Sequence, residues 1–133
     1  MSDTDNSPST IMIVEDFEDN RFMMRRLLEM SGYRVIEAVN GKEAVALAKE
    51  QHPQLILMDL SLPIVDGLTA TRLIRAHADL RDVTIIAVSA HDTADFHAEA
   101  LAAGCNDYVT KPVDFDHLET LLDRFLGARR DRQ

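Results

Sequence analysis

Leu55-Ile56-Leu57-Met58-Asp59 decides the architecture. Four apolar residues in a row are too short for a helix. They also lack the alternation of a strand with one wet face, so the run reads as a strand buried on both sides. Strands of that kind belong to parallel sheets covered by helices. Working outward, shorter or similar runs recur at Ile11–Val14, Val35–Ile36, Val83–Val88 and Tyr108–Val109. Segments with helical spacing separate them. Met23, Leu27 and Met30, with Met24 and Leu28 beside them, form one apolar stripe; Ala44, Leu47 and Ala48 form a second. Leu68, Thr71 and Leu73-Ile74 form a third, Ala94, Phe96 and Leu101 a fourth, and Phe115, Leu118, Leu122 and Phe125 a fifth. Gly32 and Gly104 stand where helices stop, because glycine tolerates the left-handed conformation. Strand and helix thus alternate five times, which predicts an α/β fold: a doubly wound, five-stranded parallel sheet with right-handed crossovers.

The chain of 133 residues carries 14 Lys plus Arg against 23 Asp plus Glu, a net charge of −9. That balance argues against sequence-independent nucleic-acid binding, which needs cations to neutralise phosphates. One cysteine cannot close an internal disulfide, so a disulfide scaffold is excluded and a reducing compartment is expected. No apolar run approaches the roughly 20 residues of a membrane span, and no run near Met1 is as long as a signal peptide needs. The chain is therefore expected to be cytoplasmic. Residues 1–9 hold almost no apolar side chain and are expected to form a disordered tail. Residues 10–127 form one domain, and 128–133, rich in arginine, a second tail.

Ligands of such a fold sit beyond the carboxyl ends of the strands, where the strand order reverses. The sequence places Glu15-Asp16 after the first strand, Asp59 after the third, Ser89-Ala90 after the fourth and Lys111-Pro112 after the fifth. Crowded carboxylates repel unless a cation intervenes. Mg2+ suits such a site, since it keeps several waters and needs only one or two carboxylates plus a phosphate oxygen. A lysine adds a point charge for a phosphoryl group, and a serine hydroxyl can donate to it. Taken singly, each of these residues is more simply a solvated charge or a turn residue. Their conjunction at successive strand ends is what points to a site.

Four segments carry a family resemblance: Ile13-Val14-Glu15-Asp16, Leu57-Met58-Asp59 with the following Leu60–Gly67, Val88-Ser89-Ala90, and Asp107-Tyr108-Val109-Thr110-Lys111-Pro112-Val113. Together they resemble the receiver domain of two-component response regulators, over about residues 10–127. The resemblance implies the flavodoxin-like (βα)5 fold with strand order 2-1-3-4-5. It implies that Asp59 accepts a phosphoryl group from the phosphohistidine of a sensor kinase or a phosphotransfer protein, in a Mg2+-dependent reaction (Mn2+ being a second candidate). Asp16, Asp59 and the backbone carbonyl of Ser61 would ligate the metal, and Glu15 would act through a metal-bound water. Glu15 departs by one methylene from the aspartate often found there, so the resemblance does not fix the metal geometry at this position. Ser89 and Lys111 would each hold a phosphoryl oxygen, Lys111-Pro112 would be a cis peptide, and Pro63 and Gly67 would shape the loop beyond Asp59. Ser61 and His91 would flank the hydrolytic water. Tyr108 matches a switch position: phosphorylation would draw Ser89 in, and Tyr108 would rotate inward behind it.

Such a chain would not be a classical enzyme, although it would catalyse its own phosphorylation and dephosphorylation. By resemblance, the mixed-charge helix with Arg21, Arg25, Arg26 and Glu29 would dock the phosphodonor. Between Ala76 and Asp123 acids far outnumber bases, which fits a downstream protein with a basic surface; the bland reading is an acidic face serving solubility. The expected output is protein contact by a stand-alone receiver, or by a phosphorelay intermediate, as a monomer or weak dimer with no DNA or membrane partner. Two other classes use related parts. Aspartyl-phosphate hydrolases of the haloacid-dehalogenase type carry their nucleophile after the first strand rather than the third. A flavin-binding protein would need a Ser/Thr/Gly-rich loop where this chain has Asp16-Phe17-Glu18-Asp19-Asn20.

Overall fold

Five parallel strands in the order β2-β1-β3-β4-β5 form one sheet: β1 (Thr10–Val14), β2 (Arg34–Ala38), β3 (Leu55–Asp59), β4 (Thr84–Ser89) and β5 (Asp107–Thr110). The computed structural model describes residues 8–62 and 65–127. The expected tails at 1–7 and 128–133, and Pro63, lie outside the described residues. Pro8 and Ser9, read as tail, are described, and the Ser9 carbonyl accepts the Arg34 N–H at 3.0 Å, extending the β1–β2 ladder.

Five helices alternate with the strands: α1 (Glu18–Met30), α2 (Gly41–Gln51), α3 (Gly67–Arg75), α4 (Ala94–Ala103) and α5 (Phe115–Leu126). Successive strand residues point to opposite faces, so each strand feeds two cores. Met12, Val14, Ile56, Met58, Ile85 and Ala87 pack beneath α2, α3 and α4. Ile11, Ile13, Leu55, Leu57, Ile86, Val88 and Val109 pack beneath α1 and α5. The β3 strand is buried at every position, as the opening segment of the sequence implies.

Three helical stripes need correction. In α1 only Leu28 is buried, while Met23 and Met30 are 65% and 77% exposed. At 100° per residue those two methionines, seven apart, share one outward face. In α4 the buried residues are Ala100 and Ala103, and Leu101 faces solvent; a row of alanines seats the helix, and alanine carries too weak a signal to reveal the row. In α3, Leu73 is exposed and Ala70 and Ile74 are buried.

The ends of the helices are set by local chemistry. Asn40, Asp66, Thr93 and Asp114 accept backbone N–H groups of the first turns of α2, α3, α4 and α5. Gly104, at φ 118°, ends α4 in the left-handed region. Gly67 begins α3 against the end of β3, and a Cβ there would lie 2.3 Å from the Asp59 carbonyl oxygen. At the opposite end of the sheet Arg75 closes the structure. Its guanidinium donates to the carbonyls of Gly104, Leu80, Arg81 and Val83 and to the Asn106 side chain. Among the described residues no helix is long and apolar enough to cross a membrane.

Candidate phosphoacceptor site

Register places the candidate residues side by side. Val14 pairs with Met58, so Glu15 and Asp59 are level at the carboxyl edge, on the side where β1 and β3 leave in opposite directions around the sheet. Asp59 pairs with Val88 and Ser89 with Thr110, which puts Lys111 one step beyond the same edge. The Lys111 N–H donates to the Ser89 carbonyl at 2.8 Å, and Lys111-Pro112 is cis.

Asp59 is 3% exposed. Its Oδ2 accepts the Lys111 ammonium at 2.9 Å, and its Oδ1 accepts the Ser61 N–H at 2.9 Å. Lys111 also reaches Glu15 Oε1 at 3.3 Å, and Glu15 Oε2 accepts the Phe17 N–H at 3.0 Å. Glu15 is buried and Asp16, its neighbour, is exposed. Burial pushes the Glu15 carboxyl above the ordinary glutamate range, and the Asp59 charge adds to the rise against the pull of the Phe17 N–H and Lys111. Burial pulls the Lys111 amine down, but the hydrogen bond and charge of Asp59, then Glu15, outweigh it and the net shift is upward. The site is therefore an anionic pocket with one fixed cation.

One carboxylate oxygen each from Glu15, Asp16 and Asp59 lies within 4.8 Å of the others. Three oxygen donors at that spacing, one open to water, fit a hard divalent cation. Ser89 is 1% exposed, and its Oγ accepts the His91 N–H at 3.1 Å, leaving its own proton to donate.

The structure thus brings Glu15, Asp16, Asp59, Lys111 and Ser89 to one edge and sets Ser61 at its rim. Tyr108 is 8% exposed, with its hydroxyl donating to the His91 carbonyl and its ring stacked on His97. His91 stacks on Phe96 at 4.3 Å between ring centroids.

Beside Asp59 and Lys111 opens a cleft of about 530 Å3, walled by Met23, Met24 and Leu27 of α1 and by Pro112, Val113 and Phe115. The sequence shows Met23 and Met24 only as members of an apolar helical stripe. That they wall the approach to Asp59 has no local signature, because it depends on how α1 leans over the sheet.

The response regulator receiver domain family matches residues 11–123. The chain is 39% identical over 120 residues to the polar-differentiation response regulator DivK of Brucella anthropi, covering 90% of this chain and 98% of that protein. The receiver domain of the sensor histidine kinase PA1611 from Pseudomonas aeruginosa, whose structure holds a magnesium ion in the active-site cleft, superposes with a TM-score of 0.85. It is 39% identical, over 91% of this chain and 99% of that one. The receiver domain of Ssk1 from Saccharomyces cerevisiae, solved with the histidine phosphotransfer protein Ypd1, gives a TM-score of 0.84 at 32% identity, over 90% of this chain and 89% of that one. With the fold, the strand-end residues and these likenesses in agreement, the chain belongs to the receiver domain family of two-component response regulators.

Proposed function

We propose that Asp59 takes a phosphoryl group from a phosphohistidine and that the resulting acyl phosphate is the signalling state. The observation that carries this reading is the contact of Lys111 Nζ with Asp59 Oδ2 at 2.9 Å, at the point where three carboxylates converge. A carboxylate oxygen attacks phosphorus, the P–N bond to the donor imidazole breaks with its electron pair going to that nitrogen, and the ring, protonated on its other nitrogen, leaves as neutral imidazole. Catalysis here is positioning and charge neutralisation. Lys111 pairs with one equatorial oxygen, the Ser89 hydroxyl donates to a second, and the Ser61 N–H, now spent on Asp59, is placed to donate to the product. Asp16, Asp59 and the Ser61 carbonyl would hold Mg2+ or Mn2+ directly, with Glu15 acting through water; the ion would neutralise charge on the transferred group. The magnesium-bound PA1611 receiver supports that assignment by likeness. Water attacking the same acyl phosphate returns Asp59 to its free form, with Ser61 and His91 flanking the approach.

The donor is a histidine kinase or phosphotransfer protein, docked on α1. Arg21 and Arg25 of that helix are held by Glu37, Phe22 and Met23 are exposed, and Met23 lines the cleft leading to Asp59. The Ypd1–Ssk1 complex is a precedent in a relative. Output runs from the acidic face of α4, β5 and α5 to a protein with a basic surface, as a monomer or weak dimer. The single cysteine, Cys105, is buried and free, in keeping with a cytoplasmic setting.

Intact mass after incubation with acetyl phosphate and Mg2+ tests the reading. The wild type gains one phosphoryl group, or a stable beryllofluoride adduct where hydrolysis is fast, and Asp59→Asn gains neither. An adduct in both proteins, or in neither, removes Asp59 as the acceptor.

A further inference from the structure

Arg21 stands one turn into α1, where its own N–H donates to the Phe17 carbonyl at 3.0 Å. Its guanidinium turns back toward the sheet. Nε donates to Glu37 Oε1 on β2 at 2.9 Å, and Nη1 donates to the Glu15 backbone carbonyl at 3.1 Å. The Arg21 side chain is 15% exposed, against 44% for Arg25, which shares Glu37. The Glu15 carbonyl belongs to the rigid peptide plane that leads into Asp16. On the other side of the same residue, the Glu15 N–H donates to the Ala38 carbonyl at 3.0 Å and extends the β1–β2 ladder. Asp16 itself is exposed, so packing does little to aim its carboxylate, and the backbone before it carries that task. Phe17, which begins α1, has no side-chain cap to fix the turn that follows. A planar fork engaged through two separate nitrogens is what a guanidinium supplies and an ammonium does not.

We propose that Arg21 is a positioning residue for the metal ligands. Anchored on Glu37, it fixes the Glu15–Asp16 peptide at the edge of the sheet, so that the Asp16 carboxylate stands within reach of those of Glu15 and Asp59. The inference rests on the reading of that cluster as the divalent-cation site of the phosphoacceptor Asp59. It gives Arg21 a part there that its place on the docking helix does not imply. A difference of sign separates it from the plainer alternative. As a background charge Arg21 repels a divalent cation, and its removal would tighten binding. As a positioning residue its removal loosens binding in spite of that relief, as loss of a group that orients a metal ligand does.

Mn2+ is the probe, with its free fraction read by electron paramagnetic resonance on the full chain. Urea unfolding of each metal-free variant establishes that it is folded under the same conditions. Arg21→Gln is expected to weaken Mn2+ binding about tenfold. Arg21→Lys keeps the charge and gives up the fork that bonds Glu37 and the Glu15 carbonyl together, and it weakens binding several-fold. Arg25→Gln removes the same charge from the same helix, along with the other donor to Glu37, and binds Mn2+ as the wild type does or slightly more tightly. Wild-type or tighter binding by Arg21→Lys overturns the positioning role, and so does an equal loss in Arg25→Gln. Should Arg21→Gln fail to fold, Arg21→Lys and Arg25→Gln decide on the same terms. Asp16→Asn separates the inference from the reading beneath it, and is expected to all but abolish binding. Undiminished binding by Asp16→Asn overturns the cation site and the inference with it. Lost binding there, with undiminished binding by Arg21→Lys, overturns the inference alone.

Discussion

Lys111 is the residue on which the site's electrostatics turn. It is the cation that contacts both Asp59 and Glu15. With Lys111→Met these carboxylates face each other unneutralised, and the Glu15 carboxyl, already raised by burial and the Asp59 charge, loses the Lys111 charge and hydrogen bond that pull it down. The sign follows: stability is retained below the unfolded glutamate range and lost as pH rises through the elevated folded value of Glu15. Urea unfolding should therefore show Lys111→Met weakest relative to wild type at neutral pH and nearly equal to it in mild acid. Mg2+ should restore more stability to the variant than to the wild type, and Asp16→Asn should blunt that recovery. The residues of this site were legible in the sequence because the backbone alone delivers them: strand ends in a parallel sheet converge whatever the side chains do. Tyr108 was legible as a position and not as a placement, since the ring that stacks on it, His97, lies eleven residues earlier on a different element.

At the scale of the element, α3 starts closer to β3 than any residue other than glycine permits. Gly67→Ala should press on the Asp59 carbonyl and Leu60, costing about 1–3 kcal/mol as overpacking does. It should also slow phosphorylation of Asp59, a pairing that denaturant titration and intact mass together can check. A second element-scale expectation concerns the seam between α1 and β2. Burial raises the Glu37 carboxyl, but hydrogen bonds from Arg25 and then Arg21 outweigh it and hold it below the ordinary glutamate range. A depressed folded value means stability that is present above the unfolded value and lost as pH falls through the folded one. Glu37→Gln should accordingly be less stable than wild type at neutral pH, and the gap should narrow in acid unfolding. Strands β3 and β4 could be read from sequence because unbroken apolar runs have one plausible home. The inner faces of α1 and α4 could not: Met23 and Met30 look like core, and Ala100 and Ala103 look like nothing in particular, yet it is the alanines that touch the sheet.

For the molecule as a whole, charge is unevenly spread. Asp92, Asp95, Glu99, Asp114, Asp116, Glu119 and Asp123 lie on or next to α4 and α5. Association with a basic partner through this face should slow steeply with added salt while dissociation changes little, a pattern that stopped-flow binding at several ionic strengths would reveal. The two ends of the sheet also differ in how they are held. The carboxyl edge carries an acidic pocket and an open cleft, whereas at the amino edge one guanidinium fans across the turn after α3, the entry to β4, the stop of α4 and Asn106 before β5. Helix α4 is consequently hung like a door on a post. Its Gly104 end is clamped and its Thr93 end is free of that clamp, so any displacement of α4 is expected to be larger at Thr93 than at Gly104.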